Sequence, residues 1–265
     1  MKDVPIGVMH RKIVNHLENL VPPLKGSDSE AKLVGAIRHC LLKRPGSLWR
    51  PTLSMAIARD FGVGFKDSVG ISVGTQLAHV ASLVYDDMDD ADDYRRGIEA
   101  CHKKYGERVA RYVFLELLNY ADDSVHNSSL TEKDKNEILK LSTRTKHDMV
   151  RGQMDDADEL IGSAPELSRF MRIIYQKTGL LSGLASFVGA VVGRASIEER
   201  KRFHEFGCLV GVAYQLNDDA GDEKKDRSKG KVTIATEFGA KLALEERDRV
   251  LQQVYKKLLK YDRYY

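Results

Sequence analysis

The segment Ser82–Gly97 reads SLVYDDMDDADDYRRG and places six carboxylates within eight residues, from Asp86 to Asp93. Asp86 and Asp90 are four residues apart, so in a helix they share a face, with Asp87 beside them. Two like charges about 5 Å apart repel by roughly 3 kcal/mol at an effective dielectric near 20, which a bound cation would offset. Hard oxygen ligands on one helix face suit Mg²⁺. The segment therefore predicts the acidic end of a helix that binds magnesium.

Two other interpretations of this acidic run need consideration. A calcium-binding loop requires ligands at alternate positions, a central glycine and a terminal glutamate, and this pattern is missing. A solvated acidic helix end, without any ligand, remains open from this segment alone.

A second aspartate cluster, YQLNDDAGD at Tyr214–Asp222, repeats the DDxxD spacing 132 residues after Asp86. Its three matching carboxylates are Asp218, Asp219 and Asp222. If the two motifs lie on facing antiparallel helices, their carboxylates would hold several Mg²⁺ ions against one diphosphate. Chance duplication is the competing interpretation.

The rest of the sequence favours one all-α domain over residues 1–265. No proline occurs between Pro51 and Pro165, so long helices are allowed there. Alternating strand-like runs and hairpin dipeptides such as Asn-Gly are missing, which argues against a sheet. The predicted helices cover roughly residues 8–20, 28–43, 51–61, 66–93, 99–124, 131–160, 167–177, 179–193, 196–222 and 235–262.

Composition narrows the classes of function. Net charge is +3 and the pI is about 8.6, so no nucleic-acid partner is indicated. The longest uncharged stretch, Thr178–Gly193, has sixteen residues, short of the roughly 20 that span a bilayer. The beginning, MKDVPIGVMHRKIV, lacks the apolar core of a signal peptide. The three cysteines match no disulfide or metal spacing. We therefore expect a cytoplasmic protein without a transmembrane segment.

Weaker polar signals lie between the aspartate motifs. Lys177 and Thr178, in Tyr175–Gly179, are predicted to begin a helix, where an anion is favoured. Gly152-Gln153 opens a polar cluster on an amphipathic helix. His79 lies seven residues before Asp86 on the same helix face, although a lone histidine there is more often part of a core.

In combination these segments resemble the trans-polyprenyl diphosphate synthases over about residues 40–235. The acidic segments resemble that family's two aspartate-rich motifs. Three further likenesses are Tyr175–Gly179 to its KTG motif, Gly152-Gln153 to its GQ motif, and Gly230–Thr233 to its GKxT motif.

The resemblance implies an isoprenoid-synthase helical bundle with a deep central cavity, a homodimer and three Mg²⁺ ions. The implied metal ligands are Asp86, Asp87, Asp90, Asp218, Asp219 and Asp222. All but Asp222 are also implied to be catalytic, together with Lys177. The residues implied to contact diphosphate oxygens or magnesium-bound water are Arg95, Lys177, Thr178, Gln215 and Lys231, and Gln153 is a further implied substrate-binding residue. Three residues fall where the family binds isopentenyl diphosphate: Arg50, His79 and Arg96.

The implied activity is ionisation of an allylic prenyl diphosphate and its condensation with isopentenyl diphosphate. In this family the product's tail grows along the helix that carries the first motif, and the small residues before Asp86 therefore predict an open floor for geranylgeranyl or longer chains: Ser82, Ala81, Ala78 and Thr75. One departure concerns the acceptor: Ser47 stands where the family's GGKxxRP motif has lysine. An alcohol or aromatic acceptor therefore remains an alternative, as do a terpene cyclase and a non-enzymatic helical subunit.

Overall fold

The computed structural model describes residues 6–21, 27–158 and 166–259, and helices account for most of them. The predicted all-α class is confirmed. The chain divides into two compact units, Met1–Asn136 with Val188–Arg194, and Glu137–Phe187 with Ala195–Tyr265. The expectation of a single domain over the whole chain stays a prediction.

The first half of the chain builds a helical core around one long helix. Fully buried apolar residues on several helices, among them Ile13, Ile37, Leu77 and Leu117, pack into one cluster. The elements are α1 Ile6–Leu20, α2 Asp28–Leu42, α3 Trp49–Asp60, α4 Phe65–Asp89, β1 Tyr94–Arg95, β2 Ile98–Glu99, α5 Cys101–Tyr105 and α6 Glu107–His126. The 25-residue α4 ends in the first aspartate motif.

The second half contains another long helix that carries the second motif. Its elements are α7 Glu132–Asp158, α8 Leu167–Ile174, a π-helical turn Tyr175–Gly179, α9 Leu180–Val192, α10 Ile197–Ser228, α11 Ile234–Phe238 and α12 Ala240–Leu259. Ser196 and Glu199 form a reciprocal capping box that starts α10. Leu216 and Ile234, both fully buried, belong to the core around α10.

The structure corrects the sequence prediction where residues adopt positive φ. A two-stranded antiparallel hairpin pairs Tyr94 with Glu99, across a turn in which Arg96 and Gly97 have φ of 53° and 77°. Two positive φ values in succession fit a tight hairpin turn, although the sequence has no Asn-Gly dipeptide there to predict it. Gly106 and Gly239, at φ 88° and 90°, divide the helices predicted over 99–124 and 235–262. Helix α10 continues to Ser228, past the predicted end at 222.

Among the described residues, no helix combines the length and the apolar character that a bilayer-crossing segment requires. The cysteines Cys40, Cys101 and Cys208 are all free thiols.

Candidate active site

The first aspartate motif lies on the last turn of α4 and just beyond it. Asp87 is buried at 3% exposure, whereas Asp86 is half-buried and Asp90 is exposed. The Asp90 N–H still donates to the Asp86 carbonyl at 2.8 Å, and the helix ends because the next residue, Ala91, has a left-handed φ of 51°. The carboxylates thus occupy one helix end, as predicted, but with different access to solvent.

Arg95, on β1 of the hairpin, holds the buried carboxylate of the motif. Its Nε donates to Asp87 Oδ1 at 2.6 Å, and its Nη2 contacts the same oxygen. Burial raises the pKa of Asp87 above its ordinary value, and the hydrogen bond from Arg95 acts in the opposite direction. One oxygen of Asp87 is therefore engaged in orienting Arg95.

The hairpin is fixed from both sides. A ring nitrogen of His39, Nε2, lies 2.8 Å from the Glu99 carbonyl oxygen, which joins α2 to β2. Arg96 Nη1 donates to the Arg44 carbonyl at 3.0 Å. A Cβ added at Gly46 would lie 2.4 Å from the Arg96 Cζ, so the guanidinium rests directly on that glycine.

The residues implied to bind the acceptor belong to a cationic cluster in the same unit, formed by Arg50, Arg95 and Arg96 around His79. Arg50 is 5% exposed and its guanidinium carbon lies 4.7 Å from the centre of the Trp49 ring. Burial lowers the pKa of His79 well below its ordinary value, and the charges of Arg50, Arg96 and Arg95 lower it further. His79 is therefore neutral at neutral pH, while three guanidiniums supply positive charge around it.

The second motif, on α10, repeats the pattern of the first. Asp218 and Asp222 are exposed, whereas Asp219 is 6% exposed. Gln215 Nε2 donates to Asp219 Oδ1 at 2.8 Å, and Thr178 Oγ1 donates to Gln215 Oε1 at 3.0 Å. A chain of hydrogen bonds thus connects the KTG-like segment to the buried carboxylate. In both motifs the second aspartate is the buried one.

Asp219 lies in a field of like charge. Burial raises its pKa to about 6, against the lowering effect of the Gln215 hydrogen bond, and the carboxylates of Asp226, Asp218 and Asp156 raise it further. Asp222 has a cationic neighbour, because its Oδ2 lies 3.0 Å from Lys225 Nζ. The region around Asp219 therefore favours a proton or another cation.

Lys177 lies in the π-helical turn, not at the start of a helix as predicted. Helix α8, the turn and α9 follow one another without a break, so the expected helix N-terminus does not exist there. Turns of this kind are often found at functional sites. Lys177 Nζ forms an ion pair with Asp156 Oδ2. A Cβ at Gly152 would lie 2.8 Å from Gln176 Cβ, so glycine lets α7 approach this turn closely.

The two remaining predicted residues lie in the same unit. Gln153 is half-buried on α7, next to Gly152. Lys231 follows α10; its N–H donates to the Asp226 carbonyl at 2.9 Å, and its charge lowers the pKa of the Asp226 carboxyl, which burial raises.

The donor chemistry of these carboxylates fits magnesium. Within the described ranges, no three histidine, cysteine, aspartate or glutamate side chains converge on one metal position. Magnesium is usually held by one or two carboxylates and completes its shell with water and phosphate oxygens. The exposed Asp218 lies beside the buried Asp219, whose pKa is raised first by burial and then by neighbouring carboxylates, and this pair of carboxylates matches that requirement.

Sequence reasoning missed three residues that this geometry brings in. Asp156 pairs with Lys177, Arg44 lines a cavity together with Arg95 and Arg96, and Gln76 contacts the loop before α3. Only Asp156 had a local signal, since it closes the polar cluster that begins at Gly152. The other two depend on contacts that spacing does not reveal.

The small residues before Asp86 have different surroundings. Ala81 is fully buried in the core cluster, whereas Ser82 and Ala78 are half-buried. Of the expected floor residues, Ser82 and Ala78 have the partial exposure that a tunnel lining needs.

Comparison with known proteins gives a consistent result. The family model described as polyprenyl synthetase matches residues 31–261. A geranylgeranyl diphosphate synthase from Pantoea ananas is 32% identical over 251 residues, which cover 89% of this chain and 81% of that protein. A geranylgeranyl diphosphate synthase from Methanosarcina mazei is 28% identical over 211 residues, and the match spans 78% of this chain but 64% of that protein.

The fold also has a solved counterpart. A Helicobacter pylori geranyltransferase, whose structure is described as complexed with magnesium and isoprenyl diphosphate, superposes with a TM-score of 0.85. The match covers 100% of this chain and 94% of that one, at 21% identity. At this identity the likeness establishes the fold.

Proposed function

The chain belongs to the polyprenyl synthetase family, and from that membership we propose that it is a magnesium-dependent prenyltransferase. It ionises an allylic prenyl diphosphate and condenses it with isopentenyl diphosphate to give geranylgeranyl or longer prenyl diphosphate. The observation that carries this proposal is the pair of DDxxD motifs, in each of which the second aspartate is buried and accepts a hydrogen bond from a neighbouring donor side chain.

The first chemical step breaks the bond between the allylic carbon and the diphosphate oxygen. It leaves an allylic cation and places negative charge on the diphosphate, which preorganised donors stabilise. In the first unit Arg95 binds diphosphate oxygens, and its bond to Asp87 keeps its guanidinium in place. In the second unit four residues have this role: Lys177, Thr178, Gln215 and Lys231.

Magnesium, when bound, acts as a Lewis acid toward the diphosphate oxygens. In the first unit, Asp86 and Asp90 would bind magnesium, and Asp87 is the buried aspartate of that motif. In the second unit, Asp218 and Asp222 would bind magnesium, and Asp219 is the buried aspartate. A count of three ions follows from the family resemblance. Gln153 is proposed as a further polar contact for substrate.

The second step joins the acceptor to the cation. The double bond of isopentenyl diphosphate attacks the allylic carbon, and a proton is then lost to the departing diphosphate, so no dedicated base is needed. Arg50, Arg96 and neutral His79 form the acceptor site, where two guanidiniums match the acceptor's diphosphate. A homodimer stays a prediction from the family, and a cytoplasmic location stays a prediction from the composition.

A direct assay tests the proposal. The protein is incubated with Mg²⁺, isopentenyl diphosphate and labelled farnesyl diphosphate, and the products are separated by chain length. We expect labelled prenyl diphosphates of geranylgeranyl length or longer, and no turnover in a chelator. Turnover of the allylic substrate without consumption of isopentenyl diphosphate would instead favour another acceptor. The exposed Ser47, which stands where the family's motif has a lysine, is compatible with such an acceptor.

Arg50→Ala is expected to raise the KM for isopentenyl diphosphate by about 10- to 150-fold and to change the KM for the allylic substrate little. The reason is the loss of a charge-assisted bond worth roughly 1.5–3 kcal/mol. Ser47→Lys adds a cation to the same loop and should lower that KM. Steady-state kinetics with each substrate varied in turn measures both effects. An Arg50→Ala enzyme with an unchanged KM would remove Arg50 from the acceptor site.

Ser82→Phe is expected to shorten the product by at least one isoprene unit. Ser82 precedes Asp86 by one helical turn, about 5.4 Å, and is half-buried, so a ring there obstructs the path of the growing tail. Product length is read by chromatography. The contrast is Ala81→Phe: Ala81 is fully buried, so the added ring should mainly destabilise the core, by about 1–3 kcal/mol. An unchanged product from a folded Ser82→Phe enzyme would place the tail elsewhere.

A further inference from the structure

A buried amide on α4 reaches the loop that precedes α3. Gln76 is 2% exposed, and its Nε2 donates to the Pro45 carbonyl oxygen at 3.1 Å. The two residues are 31 positions apart in the chain. Because a buried amide without a partner is costly, this hydrogen bond fixes both the side chain and the loop carbonyl.

The loop needs such support, because its backbone is unusual. Gly46 and Leu48 have φ of 77° and 51°, and left-handed backbone is unfavourable for a leucine. Arg96 lies against Gly46 from the hairpin side. Gln76 holds the adjacent Pro45 carbonyl from the side of α4. The loop is therefore set between two contacts from distant parts of the same unit.

The position of Gln76 connects this loop to the cationic cluster. His79 follows it by one helical turn on α4, so the two side chains share a face. Arg50 lies in the first turn of α3, directly after the loop, and its charge acts on His79. The same helix face thus carries the neutral histidine of the cluster and the amide that fixes the entry into α3.

We propose that Gln76 is a positioning residue for the acceptor: it holds the Pro45–Leu48 loop so that Arg50 and Arg96 meet the diphosphate of isopentenyl diphosphate. This inference rests on the proposed function. Gln76 itself touches neither substrate; it acts through the loop. A purely structural role predicts lower stability without any preference for one substrate, and the two roles are therefore separable by kinetics.

The test uses Gln76→Met, which keeps the length of the side chain without the donor, and Gln76→Asn, which keeps the amide but is too short to reach Pro45. The KM for each substrate, kcat and the unfolding midpoint are measured for both. Loss of one neutral hydrogen bond should raise the KM for isopentenyl diphosphate about fivefold. The KM for the allylic substrate and kcat at saturation should stay within about twofold.

Ser68→Ala is the matched control. Ser68 is also fully buried on α4, but its hydroxyl donates to the Gly64 and Phe65 carbonyls at the start of the helix. It should leave both KM values unchanged. Equal changes for both substrates, or a lower midpoint with unchanged KM values, would overturn the positioning role. If the parent enzyme transfers prenyl groups but does not use isopentenyl diphosphate, the proposed acceptor is wrong. If the parent enzyme condenses isopentenyl diphosphate and the Gln76 variants have unchanged KM values, the proposed function stands and the positioning role of Gln76 is wrong.

Discussion

Asp86→Ala or Asp218→Ala is expected to lower kcat by about a thousandfold or more, equivalent to roughly 4 kcal/mol of lost transition-state stabilisation. Each substitution removes a solvent-accessible carboxylate proposed to hold magnesium against the leaving diphosphate. The fold should survive, because removal of one of several neighbouring carboxylates relieves repulsion. Steady-state kinetics at saturating Mg²⁺, with the unfolding midpoint measured in parallel, gives the result.

The matched control for this pair is Asp93→Ala. Asp93 belongs to the same acidic run, but its carboxylate is exposed and lies 2.8 Å from Lys103 Nζ in a solvated ion pair. Such pairs contribute little, so kcat should change by less than about threefold. Near-normal activity in both Asp86→Ala and Asp218→Ala would contradict the proposed metal sites, whereas an equal loss in Asp93→Ala would point to a general effect of charge.

The sequence could predict the motifs because their information is local. The DDxxD spacing places carboxylates on one face whenever the segment is helical. Helix α4 ends at Asp89, one residue before the last aspartate of the first motif, and α10 is helical through the whole second motif. The missing prolines and strand patterns were sufficient for the all-α class. The hairpin after α4 was missed because its turn depends on a positive φ at Arg96, and the sequence does not predict a positive φ for an arginine.

The roles within each motif could not be read from spacing. The spacing does not distinguish the roles of Asp86 and Asp87, but in α4 Asp86 is half-buried, whereas Asp87 is buried against Arg95. The sequence also identified Lys177 without its partner, because Asp156 lies 21 residues earlier on another helix. Gln76 belongs to no motif, and its contact with Pro45 is visible only once the fold is known.

The two motifs share one design, in which a buried carboxylate orients a neighbouring donor. Asp87 accepts a hydrogen bond from Arg95. Asp219 accepts one from Gln215, which in turn accepts one from Thr178. The buried positions therefore keep fixed the groups proposed to contact diphosphate, and the more accessible positions remain available to metal. Fixed donors stabilise developing charge without reorganising during the reaction. This arrangement has a cost in stability that can be measured at Asp219.

Asp219→Asn is expected to stabilise the metal-free protein at pH 7.5 and to have almost no effect on its stability near pH 4. The folded-state pKa of Asp219 is raised from 3.8 to about 6, first by burial and then by neighbouring carboxylates. A raised carboxyl pKa means that the folded protein binds the proton more tightly than the unfolded chain does. The ionised carboxylate therefore destabilises the fold increasingly as pH rises from about 4 to 6, and fully above that.

The expected gain at pH 7.5 is about 3 kcal/mol, since each pKa unit corresponds to about 1.4 kcal/mol. In a chain of this size that is roughly a 6–12 °C rise in the unfolding midpoint. Asparagine keeps an oxygen that accepts from Gln215 Nε2, so the hydrogen bond is retained while the charge is removed. Calorimetry in a chelator, repeated at both pH values, measures the difference between variant and parent.

Asp222→Asn provides the comparison for this last prediction, because Asp222 belongs to the same motif but is exposed, with Lys225 Nζ at 3.0 Å. Its midpoint should stay close to that of the parent at both pH values. With Mg²⁺ and substrates, Asp219→Asn should lose most of its turnover despite its higher midpoint, since the charge that strains the free protein is the charge proposed to attract the metal. A midpoint that is unchanged or lower at pH 7.5 would mean that the buried carboxylate is already compensated within the second unit, and that its ionisation does not oppose folding.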